Sequence, residues 1–142
     1  MMANDEFNTM VEKSRRFLIS ADRNLEERFT DIGTFSANQS LELYLKVKLL
    51  RESGDYPHTN EIKNLLRHLL DLSNENVRKK IELILKEKSL VLSLIQDAYL
   101  TSRYFSTSYS SDDLKEIISV IKYIKEIIYN VSSQSKIKER SV

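Results

Sequence analysis

Apolar residues recur every three or four positions along most of this chain, with charged and amide side chains between them. That period is the signature of helices that bury one face. Phe7, Met10, Val11, Phe17, Leu18, Ala21, Leu25, Phe29 and Ile32 form one such stripe, while Arg15, Arg16, Asp22, Arg23, Glu26 and Glu27 fall mostly off it. The spacing predicts a first helix from Asn4 to Ile32. Gly33 is its expected end, because glycine accepts the left-handed backbone that satisfies a helix's last carbonyls.

Thr34 or Ser36 is then the expected cap of a second helix running to Glu52, since a hydroxyl there accepts a bond from an unpaired amide. The centre of this helix, LELYLKVKLL, is apolar on more than one side, which predicts a helix contacted by several neighbours. Ser53-Gly54-Asp55-Tyr56-Pro57-His58 holds the only proline and the second glycine and reads as a connection. Thr59 is the expected cap of a third helix with its seam at Ile62, Leu65, Leu66, Leu69 and Leu70, leaving Glu61, Asn64 and His68 on the wet side. After a break at DLSNEN, with Ser73 or Asn74 opening the next segment, the pattern resumes at Val77, Ile81, Ile84, Leu85, Val91, Leu92, Ile95, Ala98 and Tyr99. Periodicity leaves open whether Ser89 divides that segment. A serine-, threonine- and tyrosine-rich loop around Arg103 is expected next, and then a last helix opened by Ser110 and Asp113 at capping-box spacing. Leu114, Ile117, Ile118, Ile121, Ile124 and Ile128 supply its core face, and Asn130 its end.

These elements predict an all-α, single-domain, up-and-down bundle of about five helices over residues 4–131, with a flexible polar tail at 132–142. Two glycines and one proline are too few for the turns of an all-β fold. The chain has no cysteine, which removes disulfides, thiolate metal sites and a cysteine nucleophile. Its acidic N-terminus lacks the basic and apolar regions of a signal peptide, and its longest apolar runs are too short for a bilayer, so a cytoplasmic location and no membrane association are expected. Lys+Arg 22 against Asp+Glu 21 gives a formal charge of +1, without the basic excess of a protein held to nucleic acid by phosphate neutralisation. The local clusters at Arg15-Arg16, at Arg78-Lys79-Lys80 and at Lys136, Lys138 and Arg140 read as solvated faces or chain ends.

Two isolated glycines exclude a glycine-rich phosphate loop. His58 and His68 are ten positions apart, off the spacing that places two ligands on one helix face, so neither a metal nor a cofactor is expected. No serine is paired in sequence with a histidine base.

SADRNLEERFTDIGTFSANQSLELYLKVKLLRESGDYPHTNEIKNLL, at residues 20–66, and AYLTSRYFS, at 98–106, together resemble a HEPN domain over roughly residues 14–130. The anchors are Ala21 to Leu25, then QSLELYLKVKLL where the family tends to have Gln-Ala-x-Glu-x-x-x-Lys-x-x-Leu, then Tyr99, Arg103 and Tyr104 as Tyr-x-x-x-Arg-Tyr. Two positions depart. The family often has Thr-His after the proline of the central loop, where this chain has Thr59-Asn60, and proline after Arg-Tyr, where it has Phe105. The resemblance implies a helical bundle that forms a homodimer and is accessory to a minimal nucleotidyltransferase, as in toxin–antitoxin pairs. Family members that are metal-independent ribonuclease toxins carry an arginine followed after four to six residues by a histidine. No histidine follows Arg103 here, which removes that acid or base.

Arg103 and Tyr104, with Tyr99, Lys46, Glu42 and Asn60, are the candidate nucleotide-binding residues. Tyr99 and Arg103 are four apart, as are Glu42 and Lys46, so each pair shares a helix face. An arginine grips phosphate as a planar fork while a tyrosine stacks on a base. The structural alternative is that the tyrosines close the end of the core and Arg103 binds helix carbonyls. The functional expectation is a non-catalytic module binding nucleotide or RNA weakly; the alternatives are a ribonuclease toxin and a structural dimeric adaptor.

Overall fold

A computed structural model describes residues 3–55, 57–104, 109–129 and 131, with the side chains of 101–104 outside the description. Among the described residues there are six helices and no strand. They are α1 (Asn4–Glu26), α2 (Thr30–Ser53), α3 (Ile62–Leu70), α4 (Glu75–Glu87), α5 (Ser89–Tyr104) and α6 (Ser111–Tyr129). The sixth arises because Lys88, at φ −107° and ψ 22°, leaves helical backbone and separates α4 from α5.

The first helix stops six residues before its apolar stripe does. Arg28 adopts φ 62°, its N–H reaches the Leu25 carbonyl at 3.1 Å, and the Phe29 N–H reaches the Asn24 carbonyl at 2.8 Å. These are the paired bonds of a left-handed helix terminus usually built on glycine. Gly33, Thr34 and Ser36 therefore lie inside α2, all buried, and neither hydroxyl residue is a cap. Gly33 serves close approach instead. A Cβ there would stand 2.6 Å from Leu114 Cδ2 and 3.2 Å from Asn24 Cβ.

Small side chains continue along the antiparallel contact of α1 with α2. Ser14 Oγ donates to the Ser40 carbonyl at 2.6 Å, Ser40 Oγ donates to the Ser14 carbonyl at 2.7 Å, and the Ser20 and Ser36 hydroxyls meet at 3.3 Å. These bonds satisfy buried hydroxyls that would otherwise cost free energy.

The second helix does occupy the middle of the bundle, packed by α1, α3, α5 and α6. Leu41, Leu45, Ile62, Leu65, Leu66, Leu69, Ile81, Leu92, Ile95, Leu114, Ile117 and Ile121 are its largest fully enclosed neighbours and members. Burial of each stabilises the fold by about 1.5–3 kcal/mol. Gly54, at φ 80°, closes α2 with its N–H on the Leu50 carbonyl.

Capping follows the sequence at α4 and α6 and departs from it at α3, as it does at α2. Asn74 accepts from the Val77 N–H at 2.9 Å to open α4. Ser110 and Asp113 exchange reciprocal bonds of 3.0 and 3.1 Å before α6. The residue preceding α3, however, is Glu61 with no side-chain cap, and Thr59 accepts the Glu61 N–H in the preceding turn. The first free amide of α3, that of Ile62, is held by Gln96 Oε1 of α5 at 2.6 Å. A buried lysine completes the bundle: Lys48, 4% exposed, donates to the Tyr129 carbonyl at 3.3 Å, near the negative end of α6.

No helix among the described residues is long and apolar enough to cross a membrane. The 132–142 tail and the Asn130 helix end lie outside the described residues.

Candidate nucleotide site along the open stripe of the central helix

Two thirds of α2 from Gly33 to Leu50 is buried, and the partly open positions there are Phe35, Gln39, Glu42, Leu43, Lys46 and Leu50. Phe35, Gln39, Glu42 and Lys46 recur at steps of four, three and four and so form a single stripe. Helix α5 runs antiparallel beside it. The Phe35 and Tyr99 rings lie 6.0 Å apart, and Asn38 Nδ2 donates to the Ile95 carbonyl at 2.8 Å. Gln39 Nε2 in turn donates to Asn38 Oδ1 at 3.0 Å, which fixes the amide at the middle of the stripe.

At one end of the stripe, Lys46 Nζ donates to Glu42 Oε1 at 3.0 Å and to Asn60 Oδ1. The pair is only 23% and 17% exposed, so it is less screened by solvent than an ordinary surface pair. Lys46 joins two hollows. One, of about 240 Å³, is lined by Lys13, Phe17, Gln39, Glu42, Leu43 and Lys46. The other, of about 330 Å³, is lined by Lys46, Pro57, His58, Thr59 and Asn60. A larger hollow of about 420 Å³ lies behind the same connection, between His58, His68, Asp55 and Asp71 over Leu49 and Leu72. Among the described residues, no three of His, Cys, Asp or Glu are arranged to hold a metal ion.

Lys46, Glu42 and Asn60 are thus brought together, as the first two were expected to be. Tyr99 is not among them. Its ring partner Phe35 lies eleven residues from Lys46, about 16 Å along the helix. The expected loop at Arg103 is replaced by the last turn of α5, which continues through Tyr104. The Arg103 and Tyr104 side chains lie outside the described residues, so their expected contacts do too. On that helix, position 103 follows Gln96 by seven and Tyr99 by four, on the side of α5 that adjoins the stripe.

Gln96, Gln39, Phe35 and Phe17 belong to this region and were not singled out from sequence. For Gln39 the signal was its place at the head of the QSLELYLKVKLL motif. For Gln96 it was the three-residue step to Tyr99.

Chemically, the stripe and the connection beside it offer amides at Gln39 and Asn60, a lysine already balanced by a carboxylate, and the paired Phe35 and Tyr99 rings at the far end. Amides supply both donors and acceptors. Because Glu42 offsets the Lys46 charge, this set suits the polar edge and flat face of a base better than a bare phosphate.

Six helices among the described residues, packed with α2 at their centre and a polar stripe left open on it, define a small helical domain. The chain belongs to the HEPN family, whose domain description, HEPN domain, matches residues 7–132. That match takes in α2, α5 and every candidate residue, and it supports a nucleotide- or RNA-related module. No curated protein matches the chain.

Proposed function

We propose that this chain is a non-catalytic HEPN module that contributes part of a nucleotide or RNA site, working as a homodimer beside a small nucleotidyltransferase. The observation that supports the reading best is the polar stripe retained on an otherwise enclosed helix, with Glu42, Lys46 and Asn60 gathered at one end and Phe35 and Tyr99 at the other. Lys13 and Arg103 are the charges for phosphate, since Lys46 is offset by Glu42.

One charge-assisted contact contributes about 1.5–3 kcal/mol and one stacked base about 1–3. Their sum is comparable with the roughly 4 kcal/mol of a millimolar complex. The chain alone therefore holds a free nucleotide weakly and needs a second copy or a transferase to complete the site.

The test is a titration of ATP, GTP and a short RNA against the isotopically labelled protein, followed by NMR. Shifts should concentrate at residues 35–46, 58–60 and 96–104, and Arg103→Ala and Lys46→Met should each diminish them. Shifts scattered elsewhere and indifferent to both substitutions would sink the binding reading. Cleavage of the RNA in the presence of a chelator would sink the non-catalytic part of it.

A further inference from the structure

The outer face of α4 and α5 carries leucines where a solvated helix would carry polar residues. Leu83 is 51% exposed, Leu90 84% and Leu94 38%. Lys88 interrupts the helix without shifting its phase. Its N–H bonds to the Ile84 carbonyl, and its own carbonyl accepts from Leu92. The buried set Val77, Ile81, Ile84, Val91, Leu92, Ile95 and Ala98 keeps helical spacing across the bend. Leu83 and Leu90, seven apart, therefore lie on one outward stripe, with Lys86 and Glu87 between them.

From this placement we infer that a second copy of this chain docks antiparallel across the α4–α5 stripe, with the two-fold axis between Lys86 and Glu87. It rests on the reading of the chain as a homodimer and names its surface.

Self-complementarity selects both occupant and register. About that axis Leu83 meets Leu90 of the second copy, and Lys86 meets its Glu87, each contact occurring twice. Exposed Lys79 and Lys80 come within a turn of the second copy's Asp97, also exposed. Leu94 then faces Lys79 of the second copy, whose aliphatic stem covers apolar surface, whereas an axis at Leu90 itself would set Leu83 against Asp97 and Lys86 against Leu94, two such pairings in place of one. An anionic lipid surface fits less well, because Glu87 and Asp97 lie on the same stripe as the leucines. The paired segment, residues 79–94, is about 22 Å long. One helix width of contact is below the roughly 800 Å² per partner of a standard interface, so the association is weak.

Sedimentation equilibrium of the whole chain from about 10 μM to about 1 mM tests this over the range expected for a small interface. The wild type should dimerise in the upper part of the range. Leu90→Asp, at a site already exposed, should leave the circular dichroism unchanged and abolish the dimer. Lys86→Glu or Glu87→Lys alone should weaken it about tenfold, since each places two like-charged pairs at the axis. The double swap Lys86→Glu/Glu87→Lys should restore it. A dimer indifferent to Leu90→Asp would leave the homodimer standing and overturn this surface. A double swap no better than the singles overturns the register and with it the proposal. A wild type that stays monomeric, including one that instead binds anionic vesicles or an acidic amphipathic peptide through Leu90, overturns both the surface and the homodimer.

Discussion

Lys125 gives the fold a pH dependence whose sign and window follow from its surroundings. Its amine reaches between α1 and α2, donating to Ser40 Oγ at 2.6 Å and to the Ser14 carbonyl at 3.4 Å, with the Tyr44 ring centroid 5.4 Å away. Those partners are neutral, and burial pulls the amine down from 10.5 to about 8. Below pH 8 it is charged in both the folded and unfolded chain, so the cost of desolvating the charge is fully present. Between about pH 8 and 10.5 the folded chain releases its proton first, the unfolded chain binds more protons, and stability rises with pH. At about 1.36 kcal/mol per pKa unit, a full shift would be worth about 3 kcal/mol, and partial access of water reduces this to about 2. Tyr44 opposes the trend at higher pH. Burial, and secondarily the charge of Tyr129, push its hydroxyl from 10 up to about 12, so above pH 10 the unfolded chain ionises first and stability declines.

The perturbation is Lys125→Met, which keeps an unbranched side chain one atom shorter and removes the charge. Urea unfolding of both proteins at about pH 7 and about pH 9.5 gives a double difference in which Tyr44 and all other common groups cancel. Because that interval covers only part of the titration, the wild type should gain about 1 kcal/mol on the variant between those pH values. Parallel changes in the two proteins would show that the amine is not desolvated in the folded state, and would refute the reasoning.

Three further outcomes follow from local geometry. Gly33→Ala should destabilise by about 1–3 kcal/mol in chemical denaturation, because its new methyl meets the enclosed Leu114 at 2.6 Å. Arg28→Gly should raise stability by about 1 kcal/mol, read as an increased urea midpoint, because φ 62° costs a side-chain-bearing residue what glycine does not spend. Gln96→Leu should cost about 1–3 kcal/mol and increase hydrogen exchange at the Ile62 amide, whose partner it removes; an unchanged Ile62 rate would show that the amide is satisfied otherwise.

The helices were legible wherever one face met the core, and misread where a boundary carried no local mark. Asn74 and the Ser110–Asp113 pair announce themselves because capping chemistry acts over three residues. The turn at Arg28 does not. It places an arginine in the left-handed region while Phe29 and Ile32 continue the apolar period on the far side, so the stripe runs smoothly through a reversal of the chain. Gly33 then looked like a terminator, although its small size serves the approach of α1 and α6. Apolar residues around much of LELYLKVKLL gave the central position of α2 directly, since only a helix with several neighbours can bury them. Lys48 and Lys125 were invisible as interior groups, because their acceptors belong to helices distant in the chain.

The candidate site divides along the same physical line. Glu42 and Lys46 are joined by a four-residue step and could be paired from sequence. Asn60 reaches Lys46 from within the connection, and Gln96 reaches Ile62 across 34 residues, separations for which no helical period exists. Tyr99 shares a helix face with position 103, but its partner across the groove, Phe35, stands far along α2 from Lys46. A set that read as one cluster is therefore an elongated track, with polar contacts at one end and a tilted pair of rings at the other. If simple packing governed this surface, Gln39 and Glu42 could be replaced by leucine with little loss, because α2 already buries apolar side chains around most of its circumference. Retention of stability with loss of nucleotide shifts in Gln39→Leu/Glu42→Leu would separate the two roles, and would place the function in the stripe that burial left open.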